Sequence, residues 1–229
     1  MNNMWLIAIG AAAVLLAAIL LIPGTQGDGD AVDVAASSDA RNAETSDAGP
    51  SDTSDANVFS ALSNDETAVA IDGVIAAGEY AHNVDAEGFQ VHWRNDAEVL
   101  WVAMVSPGTG YAAVGFDPES RMKGANMILG AVVDGEAVWR DDYGIGALSH
   151  TDDVSRGGTD DVIAAAGREH NGYTIFEFSI PLDSGDTYDK LLEPGGTYTI
   201  IVAYNAANDS FNVRHTQRGS GEIQLDSIP

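Results

Sequence analysis

An all-β fold, two antiparallel sheets packed face to face, is what residues 67–229 predict. Three observations carry it. The apolar runs are short, rich in β-branched and aromatic residues, and bounded by Gly, Asp, Asn or Pro. Turn signals recur about every ten residues, the spacing of a sandwich. No long amphipathic stretch is present, although Asp160–Ala166 has room for about two helical turns.

Taken in order, strands are expected over Val69–Ile71, Gly88–Arg94, Val99–Val105, Gly110–Phe116, Met127–Val133, Ala137–Asp141, Tyr173–Ile180, Thr197–Tyr204 and Phe211–His215. In the second, Phe89/Val91/Trp93 alternate with Gln90/His92/Arg94, the period-2 sign of one dry and one wet face. The Gly110–Phe116 run ends in a turn around Pro118, followed by Met122, small residues and another apolar run. Asp134-Gly135 fits a tight hairpin turn.

Two segments precede this domain. Residues 1–23 contain Met4–Ile22, nineteen residues without a charge, close to the roughly 20 that span a bilayer. The run has no basic leader and no small-x-small exit, so an uncleaved transmembrane anchor is expected over a cleaved signal peptide. Residues 24–66 read as an acidic disordered linker of Asp, Ser, Ala, Gly and Thr, too polar to offset its ordering entropy. The domain is expected outside the cytoplasm, tethered to the cell membrane.

The chain of 229 residues carries 35 acids and 10 bases, a formal charge of −25. Nucleic acid and anionic membrane surfaces are disfavoured partners, because both require a basic face. Dense carboxylates, abundant alanine and only two lysines fit adaptation to high salt. Cysteine is absent, which excludes disulfides, thiolate zinc sites, cysteine-held iron–sulfur clusters and covalently attached haem.

Two residues stand out against this background. Met122 follows a polar turn between Arg121 and Lys123, with Gly124 and Ala125 leaving room beside it. His215 alternates with Val213 and Phe211, so the three are expected on one strand face. Each alone reads equally as packing: methionine fills cores, and a histidine among apolar neighbours is often a hydrogen-bonded core residue. Together, a thioether and an imidazole from distant strands match Met/His axial ligation of a non-covalent haem iron.

His150, followed by Asp152 and Asp153, offers a carboxylate–imidazole pair for a cation or acid–base chemistry, or else aspartates that cap turns. His82, His92 and His170 have no ligand-like spacing. Gly-x-Ser-x-Gly, His-Glu-x-x-His, phosphate-loop and dinucleotide motifs are absent, so no catalytic residues are assigned and an autonomous enzyme is not expected.

The order of motifs resembles the DOMON domain family in its single-domain prokaryotic members. The likeness runs through Ile71-Asp72-Gly73-Val74-Ile75, Gly78-Glu79-Tyr80, Gly110–Phe116, Met122-Lys123-Gly124-Ala125-Asn126 and Asp141-Asp142-Tyr143-Gly144. It continues through His150-Thr151-Asp152, Gly157–Asp161, Phe176-Glu177-Phe178, Pro181–Asp186, Ala203-Tyr204-Asn205 and His215 before Arg218-Gly219. One departure is Asn126, where relatives often carry Asp.

The resemblance implies an immunoglobulin-like antiparallel β-sandwich that binds haem b or a sugar, similar to cytochrome domains with Met and His as axial ligands. Those ligands fall on Met122 and His215. The cofactor walls are expected from Val114, Phe116, Ile128 and Val213, and the expected role is one-electron transfer with a separate redox partner protein. The alternative is a carbohydrate or surface-ligand module without haem, with Trp93, Trp101, Trp139 and Tyr111 as stacking surfaces. A structural envelope protein without a small ligand is a third reading.

Overall fold

The computed structural model describes residues 69–229, and the expected anchor and linker lie outside the described residues. Eleven strands run β1 His82–Ala86, β2 Phe89–Asn95, β3 Val99–Pro107, β4 Ala112–Phe116, β5 Asn126–Val133, β6 Glu136–Gly146, β7 Ser149–Asp152, β8 Ala164–His170, β9 Tyr173–Pro181, β10 Thr197–Tyr204 and β11 Gln217–Gln224. One 3₁₀ turn, Val154–Arg156, separates β7 from β8. Among the described residues no helix is long and apolar enough to cross a membrane.

All pairings are antiparallel, in a five-stranded sheet ordered β1-β2-β3-β9-β8 and a six-stranded sheet ordered β11-β10-β4-β5-β6-β7. Alternation decides what each strand buries. Leu100, Val102 and Met104 of β3 meet Phe176 and Phe178 of β9, and Val114, Phe116, Ile128 and Ile200 from the other sheet close the core. Fully burying side chains of this size contributes about 1.5–3 kcal/mol each. The Phe176 ring lies where a Cβ on Gly130 would stand, at 2.4 Å from its nearest ring carbons. Gly130→Ala is therefore expected to cost about 1–3 kcal/mol through overpacking, read as a lower denaturation midpoint.

Three expected elements differ. Residues Val69–Ile71 are not a strand; the Ala70 backbone donor goes to a carboxylate rather than to a neighbouring strand. Ala70 N–H and Ala76 N–H donate to the two oxygens of Glu79, at 2.8 and 2.7 Å. Asp160–Ala166 is extended and feeds β8, not helical. Phe211–His215 is a turn and a connecting segment, not a strand. The edge strand forms later, from the polar run Gln217–Gln224, which shows no apolar alternation and pairs along all of β10. Strands β1, β7 and β8 were not expected; all lie at or next to sheet edges, with few buried side chains.

The segment ahead of β1 is held by one side chain. Glu177, fully buried at the centre of β9, accepts from the backbone N–H groups of Asp72, Gly73 and Val74 at 3.2, 2.6 and 3.1 Å. Its other oxygen accepts from the Tyr80 hydroxyl at 2.8 Å. Burial pushes the Glu177 carboxyl up, against the pull of these four donors. Gly73 supplies the left-handed φ of 83° that turns successive amides toward one acceptor.

Candidate functional site: a cleft on the outer face of the six-stranded sheet

The large cavity is not between the sheets. It lies over the outer face of the six-stranded sheet, has a volume of about 820 Å³, and is lined by both Met122 and His215. The floor comes from the faces of β4, β5 and β10 that turn away from the core: Ala113, Gly115, Met127, Leu129, Ile201 and Ala203. Small residues keep this floor low. A Cβ on Gly115 would stand 2.9 Å from Ile201 Cγ1 and 3.1 Å from Met127 Cγ.

Met122 is delivered by the β4–β5 connection. Arg121, at φ 54°, and Met122 are the central residues of a tight turn in which Lys123 N–H donates to the Ser120 carbonyl at 3.0 Å. The turn is clipped to β6: Gly124 N–H donates to the Gly144 carbonyl at 2.7 Å, and Gly144 N–H to the Ala125 carbonyl at 2.9 Å. The smallness of Gly124 serves this closure, since a Cβ there would meet Glu119 at 2.8 Å. Ala125 is fully buried in the apolar cluster under the cleft.

His215 is carried by the β10–β11 connection and is fixed on both flanks. Asn205 Nδ2 donates to the Arg214 carbonyl at 3.0 Å, and Thr216 N–H to the Tyr204 carbonyl at 2.8 Å. Upstream, the Tyr111 hydroxyl donates to the Val213 carbonyl at 2.9 Å, and the Phe211 ring meets Tyr111 edge-on at a centroid distance of 6.0 Å. Burial lowers the His215 imidazole below its ordinary value, and the Arg214, Arg218 and His150 charges lower it further. It is thus biased toward the neutral form, whose nitrogen lone pair can ligate a metal.

His150 lines the same cleft. Its carboxylate partner is not Asp152 or Asp153 but Asp142, fully buried on β6, which bonds His150 Nδ1. Arg140 holds the same carboxylate through two donors, at 2.5 and 2.7 Å. Burial pushes Asp142 up, yet the His150 and Arg140 hydrogen bonds outweigh it and leave the carboxyl below its ordinary value. Asp152 caps the following turn by accepting from Ser155 N–H at 2.7 Å.

The lining carries three arginines against one acid, Glu87. Arg121, Arg214 and Arg218 border the cleft, three of only ten basic residues in the chain. An apolar floor under an arginine rim suits a flat, mostly apolar ligand with anionic substituents.

Of the expected walls, Val213 lines the cleft and is partly exposed. Val114 borders it while also packing, fully buried, in the core. Phe116 and Ile128 face the inter-sheet core instead, so the wall positions pass to their neighbours Gly115, Met127 and Leu129. The four expected stacking aromatics are not brought together. Trp93 is in the core, with Nε1 donating to the Gln224 carbonyl at 2.9 Å. Trp101 is on β3, Trp139 contacts Asp160, and Tyr111 is in the cleft. Sequence reasoning missed the arginines and Asp142; the concentration of scarce bases around His215 was the available signal for the former.

A family model for the DOMON domain matches residues 85–205, just over half of the chain and most of the sandwich. The chain belongs to the DOMON domain family. This DOMON domain is 28% identical over 129 residues to DBH-like monooxygenase protein 1 of Mus musculus, a match covering 55% of the chain and 20% of that relative. The chain thus spans about one fifth of the curated relative's length.

Among solved structures it is similar to the cytochrome domain of cellobiose dehydrogenase from Myriococcum thermophilum, at 10% identity and a TM-score of 0.44, covering 63% of this chain and 81% of that one. The cytochrome b domain of pyranose dehydrogenase from Coprinopsis cinerea is similar at 9% identity and a TM-score of 0.43, covering 60% and 76%. A family 9 carbohydrate-binding module from Caldicellulosiruptor kristjanssonii, in complex with cellotriose, is similar at 11% and 0.39, covering 70% and 90%. Likenesses of this size fix neither a ligand nor a site.

Proposed function

We propose that this DOMON domain binds haem b non-covalently in the outer-face cleft and passes single electrons, with Met122 and His215 as axial ligands. The observation that supports this reading is the meeting of Met122 and His215, from connections far apart in the chain, on one cleft. Haem supplies the one-electron iron chemistry when bound; the chain supplies position, burial and charge. Met122 and His215 would hold the iron, and two protein ligands on it would favour electron transfer over catalysis.

The floor of Ala113, Gly115, Met127 and Leu129 would exclude water from the ring, and Arg121, Arg214 and Arg218 would neutralise its carboxylates. Asp142 and Arg140 hold His150 at the rim as a positioned polar neighbour. The domain would work outside the cytoplasm, tethered to the membrane by residues 1–23, with a redox partner protein for electron supply or removal. A carbohydrate in the same cleft is the competing occupant, with Tyr111 and Phe211 as its stacking surface.

Titration with haem is expected to give a Soret band and sharp α and β bands on reduction. Met122→Ala and His215→Ala should each alter that spectrum and weaken binding at least about tenfold, or about 1.4 kcal/mol. A protein that stays colourless under haem excess but binds an oligosaccharide would replace the proposal with the carbohydrate reading.

A further inference from the structure

A second cluster lies on the opposite face of β6 from the cleft. Consecutive residues of a strand point to opposite sides. Asp142 is registered with Met127 and faces the cleft side, so Asp141, registered with Ile128, faces the core side. There it meets Asp161 from the segment ahead of β8 and Asp189 from the β9–β10 connection. One carboxylate oxygen from each of the three lies within 4.8 Å of the others.

Asp161 and Asp189 are half-buried, and Asp161 Oδ2 accepts from the Thr159 hydroxyl at 2.8 Å, but the inner part of the cluster is buried and unsatisfied. Asp141 is 3% exposed, and its Oδ1 has no hydrogen-bond partner; its Oδ2 accepts from Asp161 N–H at 3.1 Å. Asp153, ahead of the 3₁₀ turn, is 0% exposed with neither oxygen partnered. Asp189 Oδ1 is likewise buried without a partner. Leaving such groups unpaired is costly, because a buried charge needs a counter-charge or a metal.

Basic side chains on the adjoining segments are turned elsewhere: Lys190 toward Asp117 at 3.7 Å, and Arg156 over the Tyr188 ring at 5.2 Å. Burial, aided by neighbouring acids, pushes Asp141 up to about 8 and Asp153 to about 7. Asp189 goes to about 6, from burial and from contact with Asp161.

We propose that Asp141, Asp161 and Asp189 bind one calcium ion that ties β6, the segment ahead of β8 and the β9–β10 connection together, with the buried Asp153 adding negative charge nearby. Every candidate ligand is an oxygen, which selects a hard cation over zinc or copper. Oxygens bound to one calcium stand no more than about 5 Å apart, twice a Ca–O distance of 2.3–2.6 Å, and the three oxygens here lie within 4.8 Å of one another. Magnesium retains several waters and rarely accepts so many protein carboxylates.

The test uses the full chain, stripped with a chelator, in about 1 M KCl to screen diffuse counterions on its acidic surface. Calcium chloride at roughly a hundredfold over a Kd near 10⁻⁴ M should raise Tm by about 5–10 °C, with magnesium doing far less. Asp141→Asn should raise Tm of the stripped protein above about pH 8, where that carboxyl would be charged, by relieving repulsion, while abolishing the calcium response. Asp161→Asn and Asp189→Asn, at connecting segments, should abolish the response in a folded protein even if Asp141→Asn does not fold. A protein indifferent to calcium, equally responsive to magnesium, or still responsive after Asp161→Asn and Asp189→Asn would overturn the proposal.

Discussion

Glu177→Ala is expected to lower the unfolding free energy by about 3–5 kcal/mol, the range for removing one partner of a buried charged network. The substitution strands the backbone N–H groups of Asp72 and Gly73 and the Tyr80 hydroxyl, while Val74 N–H keeps Asp72 Oδ1 at 2.8 Å. The shortest of these bonds, from Gly73 N–H, forms where the chain runs close to the Gly167 backbone of β8. For a domain of this size the loss corresponds to a Tm lower by about 10 °C. Tyr80→Phe removes only the single hydroxyl donor and should cost about 1 kcal/mol. Burial and the Glu177 charge raise the Tyr80 hydroxyl above its ordinary value, so it remains a donor throughout the neutral range. Differential scanning calorimetry of the two variants separates these magnitudes. Equal, small losses would show that the segment ahead of β1 is not held through Glu177.

Gly144→Ala should disturb the cleft from a distance. A Cβ at Gly144 would stand inside the van der Waals envelope of the Met122 carbonyl, with Ala125 N another 3.2 Å contact. Both obstacles are backbone, so no flexible side-chain end can move aside. The two hydrogen bonds that clip the Met122 turn to β6 must stretch or break. Two lost backbone bonds amount to about 2–4 kcal/mol when their groups stay partly buried.

The His215 side of the cleft has separate anchors at Asn205, Thr216 and Tyr111 and should keep its place. The expected result is therefore a folded protein whose haem spectrum resembles that of Met122→Ala. Unchanged denaturation and an unchanged Soret titration would show that the 144 position does not govern the turn.

The sequence made the sandwich legible wherever a strand buries one side. β2, β3, β9 and β10 fall within two residues of their expected bounds, because their apolar residues recur at period two or in unbroken runs. Edge strands carry no such signal. β8, Ala-Ala-Ala-Gly-Arg-Glu-His, packs through Gly167 against Phe176 and Val132, a contact that favours the absence of a side chain. Its hairpin to β9 was nonetheless readable from Asn171-Gly172, both at positive φ, the same turn chemistry as Asp134-Gly135.

At the candidate site, Met122 and His215 were legible as residue types in unusual settings. The face was not. Phe116 and Ile128 are one residue out of phase with the cleft, and only the register of β4 against β5 reveals which parity faces outward. His215 lines the cleft from a pinned connecting segment rather than from the expected strand.

The placement of the cleft bears on the sequence of assembly. Its floor is the back of a sheet whose other side is already sealed by Phe116, Ile128, Phe176 and Ile200. Folding therefore finishes without waiting for any occupant, and a guest enters a completed scaffold rather than nucleating one. Loss of that guest would leave the scaffold standing and refillable, so the loaded fraction in the cell would follow supply rather than protein synthesis.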